Sequence, residues 1–472
     1  MTSLSARSLA LLLEGWRDAG VAYAALADRI RLLILDGRVS PGTRLPAERE
    51  LAAQLEVSRT TVTAAYAELR EAGYLQSLRG SGSVAQLPFR APAALDPQQS
   101  EYLDFSKATM PAIPQVVAAA QLAVEQLPGY LGESGFDPVG LPVLREALAQ
   151  RYTDRGLPTT PDQVMVTIGA QNAIALIART IMARGDRALI ENPTYPHALD
   201  ALKAAGARIS SVSVTTEDGW DELAIEQIIQ RSSPSLGYLM PDNHNPTGVS
   251  MAPDVRERVL GLAARHGTTL VADETMGELS LAPSNGYVIP FAAHGPAIMV
   301  GSVGKTVWGG VRVGWIRADR SVIQRLVRAR SSADLGTPLL EQLIVTNLLR
   351  DYDAILESRR AYLRTGRDFL LAQLREKLPE WHVPVPAGGL TAWANLGSAV
   401  SSQLALAARN EGLIIAAGPR FGVDGAFERF LRIPFSYAPD ETSRGIDALA
   451  RAWANVGRHP MPESSEELAG VV

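Results

Sequence analysis

The chain has 472 residues, 46% hydrophobic and 20% charged, with a formal net charge of −5, so it is not a uniformly basic polyanion binder. At roughly 100–200 residues per domain, that length holds two to four domains with sizeable cores. No cysteine is present and the six histidines are scattered, which excludes disulfides and thiolate metal sites; the expected metal content is none. The run Leu9–Leu13 could pass for a signal core, but it is too short and Glu14 and Asp18 follow it. It reads as a helix of a cytoplasmic protein, and no run is long enough to span a bilayer.

Residues 21–36 repeat apolar side chains at Tyr23, Leu26, Ala27, Ile30, Leu33 and Ile34, which is helical spacing. Pro41-Gly42 makes a turn, and a second helix runs from about Pro46 to Glu56. Ser58 is placed to cap a third helix that reaches Ala72 and stops at Gly73. Two short strands follow around Arg79-Gly80-Ser81-Gly82. Helix, helix, turn, helix and a two-strand wing is a DNA-binding plan, with the N-terminal residues of the third helix at the major groove. Arg59 suits a bidentate bond to guanine, and the hydroxyls of Ser58, Thr60 and Thr61 suit phosphates. Arg49 reaches backbone or base edges, while Gly82 and Arg79 let the wing approach DNA. Nine arginines against seven acids over residues 21–90 give +2, a modest footprint. The segments Pro41–Ala52, Val57–Val62 and Leu69–Leu75 resemble the winged-helix head of the GntR family over residues 22–85. The resemblance implies that Arg49, Ser58, Arg59, Thr60, Thr61 and Gly82 face a double-stranded operator. Some members carry an arginine where Thr63 stands.

Residues 1–85 therefore form a winged helix-turn-helix domain, and the proline-bearing stretch 86–101 reads as a linker. From 102 to 458, short apolar strands alternate with helices: Val164–Ile168, Ala188–Glu191, Leu236–Met240, Thr268–Ala272, Ile298–Gly301 and Val313–Ile316. The pattern predicts an α/β domain with a mostly parallel central sheet. Long helices after 340 and strands near 390–395 and 428–433 predict a smaller C-terminal α/β subdomain. Residues 459–472 read as a tail.

Only four lysines occur, Lys107, Lys203, Lys305 and Lys377, against 41 arginines. A lysine amine can form a Schiff base with an aldehyde and an arginine cannot, so Lys305 in Ser302-Val-Gly-Lys-Thr is the candidate for that chemistry. Ser302 and Arg312 flank it and suit a phosphate. Gly169-Ala170-Gln171 opens a helix directly after a strand, a second phosphate cradle. Asp273 ends an apolar strand and suits a protonated pyridine nitrogen. Asn245 in Asn-Pro-Thr-Gly can donate to a phenolic oxygen, Tyr195 can stack on a ring, and Arg432 inside an apolar strand asks for a carboxylate. In this order these pieces resemble the fold-type I aminotransferases. The resemblance implies pyridoxal phosphate as cofactor: Lys305 carries it, Asp273 meets its nitrogen and Asn245 its hydroxyl. Tyr195 covers its face, and Ala170, Gln171, Ser302 and Arg312 hold its phosphate. Arg432 takes a ligand carboxylate. Two tyrosines of the pattern are missing, one near Thr275 or Met276 and one near Phe136, which puts transaminase turnover in doubt.

The whole chain resembles the MocR subfamily of regulators. That implies a head-to-tail homodimer whose DNA binding responds to pyridoxal phosphate or an amino compound through Schiff-base formation. The alternative is a working aminotransferase tethered to a DNA-binding head.

Overall fold

A computed structural model describes residues 3–13, 16, 21–35, 38, 39, 42–78, 82–86, 102–282 and 288–456. Arg79, most of the expected linker (87–101) and the expected tail (459–472) lie outside the described residues.

The N-terminal unit holds helices α1 (Ala6–Leu12), α2 (Ala22–Leu35), α3 (Glu48–Leu55) and α4 (Arg59–Glu71) and strands β1 (Leu75–Leu78) and β2 (Gly82–Ala85). Leu26, Ile30, Leu33, Leu51, Leu55, Val62, Tyr66 and Leu69 form one buried cluster, as their spacing demands. Tyr23, in the first turn of α2, is 42% exposed. The Tyr66 phenol donates to the Pro46 carbonyl at 3.1 Å and pins α4 to the entry of α3. Ser58 caps α4, its hydroxyl accepting from the Thr61 amide at 3.0 Å. β1 and β2 pair antiparallel as the wing, four residues each on either side of the expected turn.

In the body, eight strands lie in one sheet: β4 (Val164–Thr167), β5 (Arg187–Asn192), β6 (Arg208–Thr215), β7 (Gly219–Trp220), β8 (Leu236–Leu239), β9 (Thr269–Asp273), β10 (Ile298–Ser302) and β11 (Gly314–Arg317). Their spatial order is β4-β11-β10-β9-β8-β5-β6-β7. The pairs from β10 through β6 are parallel, whereas β11 runs antiparallel to β10 and β4, and β7 to β6. Successive side chains leave a strand on opposite faces. Thus Val164, Leu189, Leu270 and Met299 enter one core, and Met165, Ile190, Val271 and Ile298 enter the other. Strand β6 is not foreseen in the sequence, because Arg208, Ser210, Ser211 and Ser213 break its apolar pattern.

The smaller subdomain carries an antiparallel sheet of β12 (Thr391–Asn395), β14 (Ala416–Ala417) and β15 (Phe430–Pro434) in the order β12-β15-β14. A short strand β3 (Leu103–Asp104) pairs parallel with β13 (Leu413–Ile414), so the start of the body joins the subdomain expected at 340–458. The head touches this region too: the Arg38 guanidinium donates to the Gly425 carbonyl. Among the described residues no helix is long and apolar enough to cross a membrane.

Candidate cofactor site and DNA-binding face

In an open parallel sheet, ligands lie beyond the carboxyl ends of the strands. There, Met240 after β8, Asp273 of β9 and Ser302 of β10 face one space. Between them is a cavity of about 640 Å³, and all nine cofactor and carboxylate residues expected from the sequence line it.

Lys305 follows β10, and its Nζ donates to the Ala108 carbonyl at 2.5 Å. Burial, helped by the nearby Arg432 cation and opposed by Asp273, lowers its amine from 10.5 to about 8. Asp273 is buried, which pushes its carboxyl above the usual range. The Tyr238 phenol donates to its Oδ2 at 2.6 Å and the Thr275 amide to its Oδ1 at 2.9 Å. Asn245 sits in a turn closed by the His244 amide on the Val249 carbonyl, 2.8 Å, and the Gly248 amide on His244, 2.6 Å. Tyr195 precedes the helix Pro196–Ala204 and packs edge-on against His197, ring centroids 5.4 Å apart. Burial, reinforced by Asp273, pushes its phenol up to about 12.

At the opposite end of the cavity, Gly169 opens the helix Gly169–Ile181 with φ +77° and no side-chain cap. Gly314 lies so close that a Cβ on it would sit 2.6 Å from the Gly169 carbonyl carbon. Arg312, itself left-handed at φ 54°, donates to the Ile168 carbonyl at 3.2 Å. Ser302 Oγ donates to the Val313 carbonyl and accepts from the Gly304 amide, both 3.0 Å. Ala170 lies in the first turn, and Gln171 Nε2 donates to the His197 carbonyl at 2.9 Å.

Arg432 is buried in β15, its guanidinium 4.8 Å from the Phe421 ring centre and donating to the Ser106 carbonyl. Burial lowers it to about 10. The sequence reading missed Tyr238, Phe421 and the Ser106–Ala108 strap. Thr275 and Met276 do line the cavity, where the pattern has a tyrosine. Phe136 is 68% exposed beside a separate cleft with Leu335–Pro338.

On the head, Arg49, Ser58, Arg59 and Thr60 are exposed at the start of α3 and α4, and Thr61 is half-buried. Ser58 Oγ also bonds the hydroxyls of Thr60, 2.7 Å, and Thr61, 2.8 Å, so the three form one cluster. Gly82 opens the second wing strand at φ +75°. Thr63 donates to Glu48 at 2.7 Å.

Residues 98–449 match the family Aminotransferase class I and II, and residues 22–84 match Bacterial regulatory proteins, gntR family. The HTH-type transcriptional regulator TauR of Rhodobacter capsulatus is 27% identical, over 94% of this chain and 100% of its own. The chain belongs to the MocR subfamily. Its body is of the class I and II aminotransferase family, its head is a gntR-type DNA-binding module, and it is a pyridoxal-phosphate-dependent regulator.

Two further similarities bear on the body of this MocR-type protein. The 2-aminoadipate transaminase of Thermus thermophilus is 31% identical over 300 residues, covering 62% of this chain and 75% of its own. The crystal structure of LysN, alpha-aminoadipate aminotransferase from Thermus thermophilus, has a TM-score of 0.69 at 28% identity, over 76% of this chain and 93% of its own. The site fits pyridoxal phosphate on the chain's own chemistry. Asn245 Oδ1 and Arg432 Nε are buried without a partner among the described residues. Beside them stand an uncapped helix N-terminus and a lysine whose burial favours the free amine. No group of three or more possible metal ligands occurs among the described residues.

Proposed function

We propose that this protein reports an amino compound, or pyridoxal phosphate itself, to its operator through Lys305. The observation that carries the reading is one cavity holding a half-buried lysine at Lys305, a buried carboxylate at Asp273 and a buried, partly unpartnered arginine at Arg432.

When bound, the cofactor supplies an aldehyde carbon that exchanges one amine for another. Lys305 holds that carbon, and its lowered basicity keeps part of the amine unprotonated near neutrality. Asp273 would face the pyridine nitrogen, with Tyr238 fixing the carboxylate's orientation. Asn245 would meet the ring hydroxyl and Tyr195 would cover the ring. Ala170, Gln171, Ser302 and Arg312 would hold the phosphate, and Arg432 would take the carboxylate of the incoming amine. Arg49, Ser58, Arg59, Thr60, Thr61 and Gly82 face the DNA.

The protein acts as a homodimer, and the arrangement expected is head-to-tail. Exposed Val117, Val124, Leu131 and Phe136 are the surface a second copy would cover. Closing the small subdomain on a ligand shifts the population of head positions, because the ligand favours the closed state.

A second reading, a working aminotransferase with a DNA-binding head, draws on the same intact Lys305, Asp273 and Arg432. Against it stand Thr275 or Met276, and Phe136, near which the aminotransferase pattern that the sequence resembles places two tyrosines. Borohydride treatment of the purified protein should fix the cofactor to Lys305, and Lys305→Ala should carry no such adduct. An adduct surviving on another lysine would refute the assignment. Multiple turnovers with a panel of amino donors and keto acids would favour the second reading.

A further inference from the structure

We infer that the cavity selects an amino compound carrying a second, distal anionic group, held by Arg409 and Arg420 at its mouth. The inference rests on the sensing role proposed above and names the class of effector.

Charge pairing in the cavity wall leads there. Its two carboxylates are already engaged: Asp242 pairs with Arg256 at 2.6 Å, and Asp273 accepts from Tyr238. Most of its cations are engaged as well. Lys107 pairs with Asp104 at 2.9 Å, Arg312 lies at the phosphate end, Lys305 takes the cofactor and Arg432 a carboxylate. Arg409 and Arg420 line the same cavity; among the described residues Arg409 has no ion pair and Arg420 has only a loose, solvent-exposed one. That partner, Asp200, is 3.6 Å from Arg420 and about half exposed.

The small subdomain arranges these two cations along a path out from Arg432. The helix Ser401–Asn410 turns one face to the cavity, because Ser402, Ala405, Leu406 and Arg409 recur at i, i+3, i+4 and i+7. Along that face a buried serine gives way to an apolar step, then to a cation at the mouth. Across from it, Ala416 of β14 pairs directly with Arg432 of β15, and the chain runs on from there through Ala417 to Arg420. An aliphatic spacer lies against Ala405 and Leu406. A carboxylate on Arg432 then leaves room for an acid at the far end between Arg409 and Arg420. A ligand with a neutral tip leaves Arg409 without a counter-charge and Arg420 with only the loose contact to Asp200. An acid tip forms charge-assisted hydrogen bonds that also join two elements of the subdomain wall.

The test is absorbance titration of the full-length, cofactor-loaded protein with matched pairs of amino acids, glutamate against glutamine and 2-aminoadipate against norleucine. The acid-tipped member should bind tighter by about fivefold or more, a preference that shrinks with salt as charge-assisted contacts at a solvent-facing mouth do. Arg409→Ala with Arg420→Ala should bring the ratio close to one while leaving glutamine and norleucine affinities and the cofactor spectrum unchanged. Equal affinities within each pair in the native protein, or a preference that survives the double substitution, overturn the inference. A spectrum that no amine perturbs overturns the sensing role itself.

Discussion

Lys305 concentrates the chemistry in one side chain whose proton equilibrium is set by its surroundings. Its amine is lowered from 10.5 to about 8, first by burial and then by Arg432. The free amine is the form that attacks an aldehyde, so protein stripped of cofactor should reload faster as pH rises through about 8 and level off above it. Arg432→Met removes a cation that lowers the lysine. Its midpoint should therefore move to higher pH, which stopped-flow absorbance would detect; a midpoint that stays put would mean burial acts alone. Lys305 was legible because lysine is scarce in this chain and arginine cannot replace it. Tyr238 was not, since a tyrosine in an apolar strand reads as core until its phenol is seen on Asp273. The Ser106 and Ala108 acceptors were not, because a backbone carbonyl has no side-chain signature.

Among the elements, the end of the helix Gly169–Ile181 and the strand beside it are packed with no space for a methyl group. A Cβ on Gly314 would meet backbone atoms of Gly169 and Ala170 at 2.6–2.8 Å, and backbone cannot swing aside as a long side chain can. Gly314→Ala should therefore shift the phosphate end of the site. We expect a stability loss of roughly 1–3 kcal/mol by thermal unfolding and weaker cofactor retention in dialysis. Unchanged retention would show that the helix terminus is not the phosphate cradle. On the head, Arg59→Ala removes a side chain at the exposed start of α4. Operator binding should weaken by about 1–3 kcal/mol in fluorescence anisotropy while the visible absorbance stays as it was. Element types were readable from period and caps, as Ser58 and the six expected strands show. Strand β6 escaped because its place near the sheet edge lets polar residues occupy the alternation on which strand recognition depends.

For the whole molecule, the two halves are linked physically as well as in sequence. The turn that carries Arg420 and Phe421 runs on to Gly425, whose carbonyl accepts from Arg38 of the head. Phe421 also lies under Arg432, and its carbonyl accepts from the Thr194 amide, next to Tyr195, at 2.9 Å. One stretch of the small subdomain therefore touches Arg432, the residue before Tyr195 and the head. Sequence alone showed both modules, because each keeps its own motifs. It could not show this link, which depends on residues without motif character. The direct measurement is operator affinity of the cofactor-loaded protein with and without amine, on the best duplex it selects from a random pool. The wild type should change affinity on adding an amine that alters its absorbance, and Lys305→Ala should bind the same duplex with no response to amine. An affinity that ignores the amine in the wild type, or responds equally in Lys305→Ala, would contradict sensing through Lys305.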